Sequence, residues 1–188
     1  MDAHALSEVM GCSLARARQL LPGYIGAMGA AHITNTNRAA MFAAQIGHES
    51  VGLQYMEEIA SGAAYEGRRD LGNIYPGDGR RYKGSGPIQL TGRANFRAFT
   101  QWANAQGHTS IDFEAQPELV RTDPRWGFLA ASGTGSWPAR RSTRCLIAGT
   151  SRASPARSTA ASTGWRTVGA ATTMPSRWAP DYCPQEAP

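Results

Sequence analysis

Apolar residues recur with a helical period through most of the first 132 residues, and this pattern sets the expected fold. Ser13 is placed to cap a short helix whose Leu14, Ala17, Leu20 and Leu21 share a face, with a stop expected near Pro22-Gly23. A second helix is expected over 24–31. Asn35, Thr36 and Asn37 are good cap residues for a third, over about 38–49. In it Phe42, Ile46 and Glu49 follow i, i+4, i+7 spacing and so lie on one side.

The pattern then changes. Over 61–92 the chain carries Gly62, Gly67, Gly72, Gly77, Gly79, Gly84, Gly86 and Gly92, interleaved with Tyr65, Tyr75 and Tyr82. This reads as a long loop region with room for a short β-hairpin, and a loop of this length in a compact domain is usually functional or disordered. Its aromatic content favours function. Helix returns over 93–105, with Phe96, Phe99 and Ala103 inward and Gly107 beyond the end. Asp123-Pro124 marks a further helix start, with Asp as cap and Pro in the first turn, followed by Trp126, Leu129 and Ala130.

Composition divides the chain near residue 132. Residues 1–132 hold 12 Lys+Arg and 12 Asp+Glu, whereas 133–188 hold 7 Lys+Arg and 2 Asp+Glu, so the tail supplies the whole formal charge of +5. The basic balance is therefore no argument for nucleic acid. The tail is rich in Ser, Thr, Ala, Arg and Pro and has no sustained apolar period, which is the composition of a disordered segment. It also reads as a frameshift. Back-translated and read one base earlier, Ser158-Thr159-Ala160-Ala161-Ser162-Thr163-Gly164-Trp165-Arg166-Thr167-Val168 permits Ile/Val-Asn-Gly-Gly-Ile-Asn-Gly-Leu-Ala-Asp-Arg. The same shift permits Trp-Tyr-Trp at Gly133-Thr134-Gly135 and Ile-Asn-Ala-Leu-Ser at Ser142-Thr143-Arg144-Cys145-Leu146. One lost base near the codon for Ser132 produces all three; the other reading is a natural low-complexity tail. The expected organisation is a truncated catalytic-type domain over 1–132 and an out-of-frame, disordered tail over 133–188.

Two of the three cysteines, Cys145 and Cys183, fall in that tail, which leaves Cys12 and excludes a disulfide framework or a cysteine metal site. The opening Met1-Asp2-Ala3-His4 has no basic segment followed by an apolar run, and no stretch reaches the length of a membrane span. The expectation is a soluble monomer, cytoplasmic as synthesised, whose export needs another component.

Glu49 is the first candidate for chemistry. Partial burial on the Phe42–Ile46 face and the negative end of the helix dipole both disfavour its ionised form, as a general acid requires. Glu66, between Tyr65 and Gly67-Arg68, is a loop carboxylate that neighbouring Arg68 and Arg69 keep ionised, suited to a base. Two carboxylates in unlike surroundings are the arrangement of glycoside hydrolysis. Glu57 and Glu58 compete with Glu66 and are read as solvated. The run Arg81-Tyr82-Lys83-Gly84-Ser85-Gly86-Pro87-Ile88-Gln89-Leu90-Thr91-Gly92 lacks the Gly-Lys-Ser/Thr ending of a phosphate loop. His48 has Gly52, not a ligand, at i+4, so it reads as support for a local hydrogen-bond network rather than a metal ligand.

Together these motifs carry a resemblance. Ala43-Ala44-Gln45-Ile46-Gly47-His48-Glu49-Ser50 resembles the helix end bearing the catalytic acid of glycoside hydrolase family 19, which comprises plant-type chitinases and related phage and bacterial endolysins. Tyr65-Glu66-Gly67-Arg68-Arg69-Asp70-Leu71-Gly72-Asn73 resembles the second catalytic segment. Gly77-Asp78-Gly79-Arg80-Arg81-Tyr82-Lys83-Gly84 and Gly86-Pro87-Ile88-Gln89-Leu90-Thr91-Gly92-Arg93-Ala94-Asn95-Phe96 resemble the substrate-cleft segment. The similarity covers roughly residues 5–132.

The resemblance implies a mainly α, lysozyme-like fold with two lobes around a cleft, incomplete at the C-terminus. It implies endo-hydrolysis of β-1,4-linked N-acetylglucosamine polymers with inversion, without metal or organic cofactor, on a polysaccharide partner (chitin, or alternatively peptidoglycan). Glu49 is then the acid and Glu66 the base. Thr91 helps orient the water, and Tyr82, Gln89 and Asn95 bond to or stack on sugars. Position 85, usually Arg in this motif, is Ser here. The family closes its cleft with C-terminal helices that this chain lacks as translated, so an unstable or inactive product, or a wall-binding remnant, is a further expectation.

Overall fold

The computed structural model describes residues 1–133. Seven α-helices occur there: α1 (Ala3–Met10), α2 (Leu14–Ala30), α3 (Thr36–Glu49), α4 (Asp78–Arg81), α5 (Arg93–Ala105), α6 (Glu118–Thr122) and α7 (Pro124–Gly133). Two 3-10 turns, Ala63–Tyr65 and Arg69–Leu71, interrupt the long loop. The expected tail over 133–188 lies outside the described residues apart from Gly133, the last residue of α7.

Local sequence explains the helix starts. Asp2, Ser13 and Asn35 accept from the backbone N–H of Ala5 (2.8 Å), Arg16 (3.2 Å) and Arg38 (2.9 Å), satisfying donors that the first turn leaves open. α2 corrects one expectation: it runs unbroken through Pro22, where a stop and a new helix are predicted. Pro22 costs about 3 kcal/mol in a helix interior because it removes one bond and crowds the preceding turn. It lies on the exposed side, where the freed carbonyl meets water. The buried residues Ala17, Leu20, Tyr24, Ala27 and Met28 keep a single stripe on both sides of it, and packing of that stripe outweighs the local penalty.

α7 packs against α2, α5 and α6. Tyr24 of α2 touches both Phe42 of α3 (ring centroids 5.5 Å apart) and Phe128 of α7 (5.7 Å). On the other side Phe113 stacks on Phe99 of α5 (4.6 Å) and tilts against Trp126 of α7 (5.6 Å). The same helix supports the loop. An added Cβ at Gly127 would lie 2.7 Å from the Val120 carbonyl oxygen and 3.4 Å from the Gly86 Cα, so the two glycines let backbone lie against backbone.

The room for a β-hairpin over 61–92 is filled otherwise. Among the described residues there is no strand, only two antiparallel bridges, Glu57 to Ser85 and Ser85 to Leu90. Ser85 is fully buried and its hydroxyl donates to the Lys83 carbonyl at 2.8 Å. No described helix is long and apolar enough to cross a membrane.

Candidate functional site

The long loop is built around a buried ion pair. Asp78 is 2% exposed and takes the Nε–Nη2 edge of the Arg93 guanidinium, Nη2 to Oδ1 at 2.6 Å and Nε to Oδ2 at 2.9 Å, while Nη1 donates to Glu114 Oε1 at 3.0 Å. Arg93 holds the Asp78 carboxyl below the usual carboxylate range, against the upward push of burial. Asp78 Oδ2 also accepts from the backbone N–H of Ile74 and Tyr75, both at 3.1 Å. Asn73, fully buried, donates to the Tyr65 carbonyl and accepts from the Arg93 N–H, both at 2.9 Å. The start of α5 is thus the anchor for a segment that has little regular structure of its own.

Glu66 hangs on this frame. It is exposed, and its two carboxylate oxygens accept from the Gly77 N–H (2.6 Å) and the Gly79 N–H (2.8 Å). The expected partnership with Arg68 does not form, because Arg68 Nε and Nη2 both donate to Asp70, at 2.9 and 2.5 Å.

Glu49 ends α3 and is exposed, contrary to the expected partial burial; its Oε1 accepts from Gln45 Nε2 at 2.7 Å. Phe42, Ile46 and the C-cap Ser50 are buried, and Glu49 falls at the rim of that face rather than in it. His48 is exposed on the same turn; its carbonyl accepts from the Val51 N–H at 3.4 Å, and its imidazole faces solvent. The chain then turns through Val51 (φ 52°) and Leu53 (φ 63°). Left-handed backbone at a β-branched residue is uncommon and stores roughly 1–3 kcal/mol.

Tyr82 needs correction. It is fully buried, its ring packs on Phe96 at 5.4 Å and lies 4.8 Å from the Arg93 guanidinium, and its hydroxyl donates to the Glu114 carbonyl at 2.9 Å. It offers no face to a sugar and belongs to the core. Gln89, Thr91 and Asn95 are half-buried and mutually linked. Gln89 takes φ 54°, Thr91 Oγ1 donates to the Gln89 carbonyl (2.8 Å), and Asn95 Nδ2 donates to the Thr91 carbonyl (2.7 Å).

The residue that sequence reading undervalues is Glu58. It is half-buried rather than solvated. Its Oε1 accepts from the Tyr65 hydroxyl (3.0 Å) and its Oε2 from the Gly84 N–H (2.9 Å). Burial, then the bond to Glu58, pushes the Tyr65 phenol up, so it stays protonated as the donor. A Cβ placed on Gly84 would meet Gln89 Oε1 at 2.4 Å and Glu58 Oε2 at 3.0 Å, so both side chains crowd one point. Glu57, by contrast, faces Lys83 (2.8 Å). It borders a groove of about 310 Å³ lined also by Arg16, Gln19, Gln54, Tyr55 and Arg121, away from both Glu49 and Glu66. The only local signal for Glu58 is its place in a Glu-Glu pair; the contacts that distinguish it come from 7 and 26 residues away.

With this geometry in view, comparison with known proteins is informative. The mainly helical fold is that of a chitinase. It matches the crystal structure of a mutant of chitinase C with a TM-score of 0.54, at 23% identity, over 72% of this chain and 54% of that one. In sequence the chain is similar to a glycosyl hydrolase family 19 domain-containing protein of Haemophilus influenzae. The two are 30% identical over 99 residues, covering 36% of this chain and 50% of the relative. The resemblance to glycoside hydrolase family 19 is borne out by these two likenesses. No protein-family profile matches the chain. The chain spans about half the length of both proteins (50% and 54%).

Proposed function

We infer that the chain is a glycoside hydrolase that cleaves β-1,4-linked N-acetylglucosamine polymers, chitin foremost, with inversion. The observation that carries this reading is the chitinase likeness in fold, extending over 72% of the chain. Glu49 is the general acid, exposed at a helix end where a bound polysaccharide can reach it. It gives its proton to the glycosidic oxygen as the bond to the anomeric carbon breaks. A water attacks that carbon from the opposite face and loses its proton to a second carboxylate. An inverting pair leaves about 6.5–9.5 Å between carboxyl groups for this water. The Thr91 hydroxyl, whose proton goes to the Gln89 carbonyl, keeps its oxygen lone pairs for the water's O–H. Gln89 and Asn95 bond the sugar.

The sequence assigns the base to Glu66. Both oxygens of each carboxylate, Glu58 and Glu66, accept a hydrogen bond, and the observation that favours Glu58 is its place: it is half-buried and crowds the same point as Gln89, whereas Glu66 is exposed. The test is hydrolysis of colloidal chitin and of purified cell walls by the full chain, with product anomers followed by NMR. Glu49→Gln is expected to lose about 10²–10⁴-fold in rate. The glutamine variant at the true base, Glu58 or Glu66, loses a similar factor and the other does not. Sugar release from cell walls alone would move the substrate to peptidoglycan. Release from neither, or full activity in Glu49→Gln, would overturn the reading.

A further inference from the structure

Tyr75 is the exposed aromatic that the reaction scheme leaves unused. It is 57% exposed, beside Ile74 at 59%. Large apolar side chains in water are ordinary when single and mobile. Tyr75 is not mobile in that sense, because its backbone is fastened. The N–H groups of Ile74 and Tyr75 both donate to Asp78 Oδ2 at 3.1 Å, and Asp78 is itself buried against Arg93. The Arg93 guanidinium carbon lies 5.0 Å from the Tyr75 ring centroid and backs one face of the ring. More than half of the side chain still meets solvent. Two residues on, the Gly77 N–H holds the Glu66 carboxylate. A flat ring is therefore fixed on the turn whose Gly77 N–H holds one of the two candidate base carboxylates.

Contact with Arg93 on one face keeps the ring in place. It lowers the cost of binding a flat apolar partner, because little freedom is left to lose. Tyrosine suits that role, having a large amphipathic face and few rotatable bonds. The pyranose ring of an N-acetylhexosamine is such a partner: its axial C–H bonds make one face apolar, while its hydroxyl and acetamido groups radiate at the edge. We propose that Tyr75, backed by Arg93, is a sugar-stacking subsite for one N-acetylhexosamine unit of a β-1,4-linked strand. The proposal rests on the functional reading above and adds to it a binding contact on the Ile74–Gly77 turn.

The experiment uses the full 188-residue chain carrying Glu49→Gln, which is expected to bind without turnover. It is titrated calorimetrically with the β-1,4-linked hexamer of N-acetylglucosamine. Tyr75→Ala is expected to weaken binding about 3–10-fold, the range that specific aromatic contacts supply. Tyr75→Leu, which keeps apolar bulk without a flat face, should lose nearly as much, while Tyr75→Phe and Tyr75→Trp should stay within about twofold of the parent. If Tyr75→Ala or Tyr75→Leu binds as the parent does, the subsite is refuted and the hydrolase reading stands. If the parent binds no hexamer, both fall.

Discussion

Arg93 and Asp78 form a two-pronged buried contact that joins the first turn of α5 to the glycine-tyrosine loop. Fifteen residues separate them in sequence, and the pair pins the middle of this loop to α5. Breaking a buried pair from one side leaves an uncompensated charge, at a cost of roughly 3–5 kcal/mol. Arg93 keeps 19% of its side-chain surface in water, so Asp78→Asn should sit at the lower end of that range, read as a lowered denaturation midpoint.

The same pair sets an acid limit. The folded-state pKa of Asp78 is depressed, chiefly by Arg93, and that of Glu114 chiefly by Arg97 and then, beyond the opposing effect of burial, by Arg93. Depressed carboxyl groups contribute stability that is present above their unfolded values and lost as pH falls through the folded ones. Thermal stability should therefore hold near neutral pH and fall below about pH 4. In Asp78→Asn the melting temperature should start lower and fall less steeply in that window, as calorimetry from neutral to acid pH would show.

Gly84 separates stability from site geometry. A methyl group there meets Gln89 Oε1 and Glu58 Oε2 rather than backbone, so side chains can yield. Gly84→Ala should change the melting temperature by little and lower hydrolysis by about 10–100-fold, since displacement of about 1 Å in a catalytic constellation has that effect. An unchanged rate would mean that neither Glu58 nor Gln89 contributes to turnover.

Asn35→Ala removes the acceptor for the Arg38 N–H at the start of α3. The expected loss is about 0.5–2 kcal/mol. Phe128→Ala, which empties the centre of the α2–α7 contact, should cost about 3–5 kcal/mol. Urea titration of both variants would rank them, and a Phe128→Ala effect no larger than that of Asn35→Ala would contradict the central place given to α7.

Sequence reading succeeded where one local rule acts without competition. The helix over 93–105 is found at Arg93–Ala105 because Phe96, Phe99 and Ala103 keep period and Gly107 turns the chain. The third helix, expected over about 38–49, is found at Thr36–Glu49, starting directly after the Asn35 cap. Failures arise where a local signal meets tertiary packing. Pro22 reads as a break, yet the buried stripe of α2 continues across it. Periodicity groups Glu49 with Phe42 and Ile46, yet its side chain lies at the rim of that face while the next residue, Ser50, is the buried one. Tyr82 in a glycine-rich run reads as a sugar contact, and only the packing of Phe96 and Arg93 around it reveals a core residue. Glu58 looks like half of a solvated acidic pair until Tyr65 and Gly84 are seen beside it. The helix α1 and the five-residue α6 are too short for periodicity to mark, although Asp2 is a visible cap for the first.

Asn73 has a consequence for handling the protein. The stretch around it holds Arg68, Arg69, Arg80 and Arg81, all exposed, which would ordinarily invite trypsin. A protease must draw its target into an extended form, and here that means tearing the Asn73 amide from both Tyr65 and Arg93. Brief digestion should leave these four arginyl bonds intact, so the least regular part of the molecule will outlast its appearance.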